Sequence, residues 1–150
     1  MYKLIIFSDT YKHFDEAVKE YEKRLSKNIE IIKLKPSKRK NESEIIEEET
    51  SILKEKLEKI KWYKILLYIE WKVISTELLS ELVEKNKQTF GDIVFIIWWA
   101  YGVDFEKISH VIDYKLSFSP MTFPHSMAYL ILLEQIYRIE MIKKWSWYHH

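Results

Sequence analysis

Hydrophobic residues fall in short, nearly uninterrupted runs, separated by stretches with helical spacing. The first run, YKLIIF at 2–7, is apolar and rich in β-branched residues, which predicts a strand. Phe14, Val18, Tyr21 and Leu25 then recur three or four apart, so an amphipathic helix is expected over about 12–26. IEIIKLK at 29–35 predicts a second strand, PSKRKNE at 36–42 a polar, basic loop, and the stretch carrying Ile45, Ile46, Ile52, Leu53 and Leu57 a charged helix. ILLYI at 65–69 reads as a third strand. Ser75-Thr76-Glu77 supplies capping residues for a helix carrying Leu78, Leu79, Leu82 and Val83.

IVFII at 93–97 predicts a fourth strand and YKLSFS at 114–119 a fifth extended piece, with Asp104 placed to cap a short helix near 105–109. From Pro124 to about Lys144 runs a long helix that is apolar on most sides, with Met127, Leu130, Ile131, Leu133, Ile136, Tyr137 and Met141. Its proline suits the first helical position. Strands alternating with helices, and strands apolar throughout, predict an α/β fold: a mostly parallel sheet with helices on both faces. No repeat or linker interrupts the pattern, so 1–150 is expected to form a single domain. The last helix offers more apolar surface than one such domain usually buries, which predicts a homodimer interface.

Composition narrows the function. A formal charge of +1 carries no global nucleic-acid signature, so RNA binding would have to rest on local patches. The absence of cysteine excludes disulfides and thiolate metal sites and makes a cytoplasmic location the expectation. Apolar runs such as YLILL at 129–133 are too short to span a bilayer, and no leader segment is expected. The five histidines, at 13, 110, 125, 149 and 150, lack metal-ligand spacing. Phosphate-loop, dinucleotide and nucleophile-elbow motifs are absent.

In an open α/β sheet, ligands bind outside the carboxyl ends of the strands. Three such ends stand out: ILLYIEWK at 65–72, VFIIWWAYG at 94–102 and LSFSPMTFPH at 116–125. The third can present backbone N–H and C=O groups to a flat, polar, uncharged ligand such as an adenine ring. From composition alone, an ordinary strand-to-helix connection is the commoner explanation of such a loop. Lys38, Arg39 and Lys40 are candidates for phosphate contact, or simply a solvated loop.

The carboxyl-terminal stretch KLSFSPMTFPHSMAYLILLEQIYRIEMIKK, followed by YHH, closely resembles the RlmH-type family of SPOUT-superfamily methyltransferases, which act on pseudouridine in 23S ribosomal RNA. The similarity extends over nearly the whole chain, including EAVKEYEKRLSK, LLYIEWK and IIWWAYGV. The resemblance implies a C-terminal trefoil knot, a homodimer, and S-adenosylmethionine held in the knot. It also implies methyl transfer to N3 of a pseudouridine within the assembled ribosome. By position it assigns cofactor contacts to Leu67, Trp98, Trp99, Gly102, Phe118, Ser119, Pro120, Met121, Thr122 and Phe123. Tyr148 and His149 match the family's terminal Tyr-His pair, near the substrate side of the site. His149, Tyr148 and His125 are the candidates for handling the N3 proton, and His125 equally suits a role in fixing the start of the last helix.

The chain departs from the family at glycine. Where the family has I-G-G-x-x-G, this sequence has I-W-W-A-Y-G at 97–102, read from Ile97. Trp71 and Trp145 also stand at family glycines, and Trp62 and Trp147 fall at turn-like positions. Glycine is 2 of 150 residues, where average usage predicts about ten, and tryptophan is 6. Either Trp98 and Trp99 remodel the pocket, or these residues are glycine in the organism, through a genetic code that reads UGA as glycine. The second is favoured, because independent drift would not select glycine sites repeatedly. A non-catalytic, ribosomal-RNA-binding descendant with Trp98 and Trp99 filling the site is the alternative to an enzyme. A small-molecule-binding module without an RNA partner is the third reading.

Overall fold

The computed structural model describes residues 1–7, 12–98 and 101–146. Strands β1 (Tyr2–Phe7), β2 (Ile29–Leu34), β3 (Tyr63–Leu67), β4 (Ile93–Ile97) and β5 (Tyr114–Leu116) form one sheet in the order β2-β1-β4-β3-β5. Every pairing is parallel, with Tyr2 opposite both Ile29 and Ile93, and Tyr63 opposite Ile93. The helices are α1 (Asp15–Leu25), preceded by a 3-10 turn at Lys12–Phe14, α2 (Glu42–Glu58), α3 (Thr76–Phe90), the short α4 (Phe105–Ile108) and α5 (His125–Ser146).

Alternation along the strands divides two cores. Leu4, Ile6, Ile65, Ile93, Phe95, Ile97 and Leu116 face one layer, where they pack with Val18 and Leu25 of α1, Leu79 and Val83 of α3, and α5. Ile5, Phe7, Leu66, Val94 and Ile96 face the other, with Leu53 and Leu57 of α2 and Ile108 of α4. Both faces of a parallel sheet are thereby dry, which is why its strands lack polar alternation. Among the described residues, no helix is long and apolar enough to cross a membrane.

Local signals behave mostly as expected. Ser75 Oγ accepts from Leu78 N at the start of α3, and Asn41 Oδ1 accepts from Ser43 N at the start of α2. Asp104 precedes α4 but makes no side-chain cap; its carboxylate pairs with Lys107 while its N–H donates to the buried Thr50 Oγ1. Strand β3 begins and ends two residues earlier than the apolar run ILLYI, because Tyr63 and Lys64 pair with Ile93 and Val94. The fifth extended piece is regular only over Tyr114–Leu116, and Ser117 adds an isolated bridge to Val73. Pro124 lies just outside α5, where its carbonyl accepts from Met127 N and Ala128 N.

Helix α5 packs against both α1 and α3. Tyr129, Leu132, Leu133, Ile136 and Ile139 are buried, so much of its apolar surface is used within the chain. The opposite side stays half-exposed at Met127, Ile131 and Met141, and Ile142 is exposed, while the half-buried Leu130 still packs against the core. Glu140 anchors the helix to the sheet. It accepts from Tyr2 Oη at 2.6 Å and Asn28 Nδ2 at 3.0 Å, and Lys87 Nζ lies 3.7 Å away. Burial, reinforced by the bond to Glu140, pushes the Tyr2 hydroxyl pKa well up.

Replacing Glu140 with alanine strands the buried Tyr2 hydroxyl, a loss of about 1–3 kcal/mol. Thermal denaturation should show a lower Tm for Glu140→Ala, and Tyr2→Phe in that background should recover part of the loss by removing the orphaned hydroxyl.

Candidate active site

Because all five strands run the same way, their carboxyl ends share one edge, and the loops after β3, β4 and β5 meet there. Residues 67–70, Ile97 and Trp98 with 101–103, and most of 116–125 enclose a cleft of about 610 Å³. That volume lies in the range of small-molecule sites, roughly 300–1,000 Å³. Leu67, Ile97, Leu116, Phe118 and Phe123 supply apolar walls, and Ser117, Ser119 and Thr122 polar ones.

The walls are tied to each other. Tyr68 N donates to Leu116 O at 2.8 Å, continuing the β3–β5 pairing past the end of the strands. The Ser117 hydroxyl, only 2% exposed, lies 3.0 Å from Ile69 O and 3.1 Å from Ser119 O. One hydroxyl hydrogen thus bridges the β3 loop and the loop before α5. Met121 N in turn donates to Ser119 Oγ, so this segment is held by its own serines rather than by regular structure. On the β4 side, Gly102 has φ +82°, with open space where a Cβ would stand. Its requirement is conformational rather than steric.

Trp98 lines the cleft, half-buried and edge-on to Tyr68, with ring centroids 5.8 Å apart. Tyr68 also contacts Phe105, and Lys115 Nζ sits over the rings of Trp71 at 3.7 Å, Phe105 at 4.3 Å and Tyr68 at 5.1 Å. This aromatic cluster forms one shoulder of the cleft, its cation attracted by the ring faces. Trp62 is half-buried under Lys3, whereas Trp71 and Trp145 are 48% and 69% exposed.

The cleft brings together Leu67, Trp98, Gly102, Phe118, Ser119, Met121, Thr122 and Phe123, and His125 with them. Pro120 departs from the expectation. It turns away to line an adjoining shallow depression with Ile69, Glu70, Trp71 and Lys72. Trp99, Tyr148, His149 and Trp147 lie outside the described residues. His125 is the first residue of α5 and half-buried, and burial lowers its imidazole pKa, favouring the neutral form. Both roles considered for it are compatible with that position. Sequence reasoning missed Val103 and Ala128 altogether, and placed Tyr68, Tyr101 and Ser117 only within the three strand-end stretches, without naming them as site residues. Ser117 carried no signal of its own, since only the fold sets two carbonyls beside its hydroxyl.

Residues 2–149 match the sequence profile of the family described as predicted SPOUT methyltransferases. The chain belongs to the SPOUT methyltransferase family. It is 35% identical over 142 residues to the ribosomal RNA large subunit methyltransferase H of Fusobacterium nucleatum, covering 92% of this chain and 91% of that protein. With the protein of the same name from Streptococcus gordonii it shares 34% identity over 146 residues, with the same coverages. The resemblance carried by S-x-M-T-F-P-H and L-L-E-Q-I-Y-R is therefore one of family. The five-stranded parallel sheet covered on both faces agrees with it.

Gly102 is the position in this SPOUT methyltransferase's cleft whose positive φ a side chain would strain. Gly102→Ala should lower stability by about 1–2 kcal/mol, the cost of a left-handed conformation in an L-residue. Chemical denaturation of both proteins measures it, and an equal midpoint would show that the loop relaxes to negative φ.

Proposed function

We propose that this chain methylates N3 of a pseudouridine in 23S ribosomal RNA within the assembled ribosome. We infer that it uses S-adenosylmethionine and works as a single-domain homodimer whose C-terminal segment is knotted. The observation that carries the reading is the cleft closed by three loops at one sheet edge, in a chain of this family. The residues suit a nucleoside-bearing cofactor: apolar side chains for its flat parts, and loop backbone with Ser119 and Thr122 for its polar edges. The knot is what the family implies, and Ser117 lies against Ile69 and Val73, which sets the two loops concerned side by side. The dimer is supported by the half-exposed apolar side of α5 and by exposed Ile69, Val73 and Met121 on the loops around the cleft.

When bound, S-adenosylmethionine supplies a methyl group already activated by its sulfonium, so the chain's task is orientation. Leu67, Gly102, Phe118, Ser119 and residues 121–123, with Ser117 tying the walls, would hold the cofactor and orient it toward the base. His125, kept neutral by burial, is able to accept the proton that N3 must lose, and Tyr148 and His149 are assigned to the substrate side.

Methyl transfer from labelled S-adenosylmethionine to ribosomes lacking the modification tests the activity, and no incorporation would refute it. Deleting Tyr148-His149-His150 should abolish transfer while leaving the melting curve and cofactor binding intact, since chain ends seldom carry core packing. Unchanged activity would remove the terminus from the site.

Trp98 in the cleft favours a second reading, in which the sequence as written is blocked. A tryptophan brings roughly 200 Å² of ring where the family has glycine. Calorimetric titration should show Trp98→Gly/Trp99→Gly binding S-adenosylmethionine at least tenfold more tightly, about 1.4 kcal/mol. Equal affinities would show that the cleft accommodates both rings.

A further inference from the structure

The basic loop after β2 is a motif that the cofactor cleft leaves unexplained. It leaves the sheet at the same edge as the cleft, because β2 runs parallel to β1, β4 and β3. Two strand spacings separate β2 from β4, roughly 10 Å. Lys35, Lys38 and Lys40 are exposed, and among the described residues none of them has an ion-pair partner. Arg39, by contrast, is engaged with Glu48.

The loop is also held in shape. Ser37 N donates to Glu49 Oε1 at 2.9 Å, Ser37 Oγ to Glu48 Oε2 at 2.5 Å, and Arg39 N to Ser37 Oγ at 3.1 Å. Glu49 is 2% exposed and Glu48 is engaged by Ser37 and Arg39, so these two neighbouring carboxylates serve to brace the loop. Glu42 and Glu44 lie in the first turn of α2, where the helix dipole favours them. The next residue of the brace, Thr50, accepts from Asp104 N on the loop that carries Gly102. One turn of α2 therefore fixes the basic loop and the cleft loop in a common frame.

We propose that residues 35–40 form a phosphate-docking platform for the RNA strand flanking the target base, with Lys35, Lys38 and Lys40 as the contacting cations. Lysines on a braced loop act as point charges along a backbone and carry no sequence information, which suits positioning rather than base choice. The platform names a surface within the RNA-methylating reading above and rests on it.

The test is the salt dependence of binding to a synthetic RNA stem-loop containing pseudouridine, measured for the full chain and two triple variants. Each phosphate contact contributes a slope of about 0.7 to 0.9 in log K against log salt. Lys35→Ala/Lys38→Ala/Lys40→Ala should weaken binding and flatten the slope by about 2–3, with S-adenosylmethionine affinity and Tm unchanged. The control, Lys27→Ala/Lys61→Ala/Lys85→Ala, makes the same charge change near the opposite edge of the sheet, in the turns before β2 and β3 and late in α3. It should leave the slope as it was. An unaltered slope in the first variant, or equal flattening in both, overturns the platform while leaving the RNA reading intact. No binding of the stem-loop by the parent chain at any salt overturns the platform, while the reading beneath it falls only if labelled methyl groups fail to reach ribosomes.

Discussion

Parallel pairing of all five strands is the constraint on which the rest of this structure depends. Parallel strands need a crossover after each one, and those crossovers cover both faces of the sheet with helices. The sheet then has no wet face on which a ligand could bind. Its carboxyl edge is left, with the loops that follow the strands. The cleft, the aromatic shoulder around Lys115 and the basic loop at 35–40 all lie along it.

A loop-built site needs other means of rigidity than regular structure. Here these are small and specific: the Ser117 hydroxyl between two carbonyls, the Tyr68–Leu116 backbone bond, and Ser119 closing on Met121 N. Helix α5 provides the backing. It starts at the cleft with His125 and ends its buried run near Glu140, where Tyr2 and Asn28 secure it at the amino end of β1 and β2. A disturbance of the Glu140 cluster would thus reach the cleft through the same helix that carries His125.

The tryptophans divide by environment. Trp145 and Trp71 expose much of their rings, Trp62 is packed beneath Lys3, and Trp98 occupies the shoulder of the cleft against Tyr68. Burial does not account for the exposed pair, since glycine in their place would remove little packing. Trp98 is different, because its ring lies where a ligand would approach the end of β4. Whether the organism reads these positions as glycine changes the cleft at that one point far more than it changes the fold.

The sequence by itself determined the elements and their order: runs such as IVFII at 93–97 match β4 to the residue, and Ser75 caps α3 as its type predicts. These are local facts, set by side-chain periodicity and by hydrogen bonds a few residues apart. Motif resemblance likewise pointed to part of the cleft, through Leu67, Gly102 and the residues around Phe118. Only the tertiary structure decided that Pro120 turns out of the cleft and that Ser117 joins its two walls. It also decided that α5 spends its apolar face against α1 and α3, and that Glu49 and Thr50 brace two distant loops from one helical turn. Each of these joins residues far apart in the chain, and no periodicity records a contact whose partner is chosen by how the layers pack.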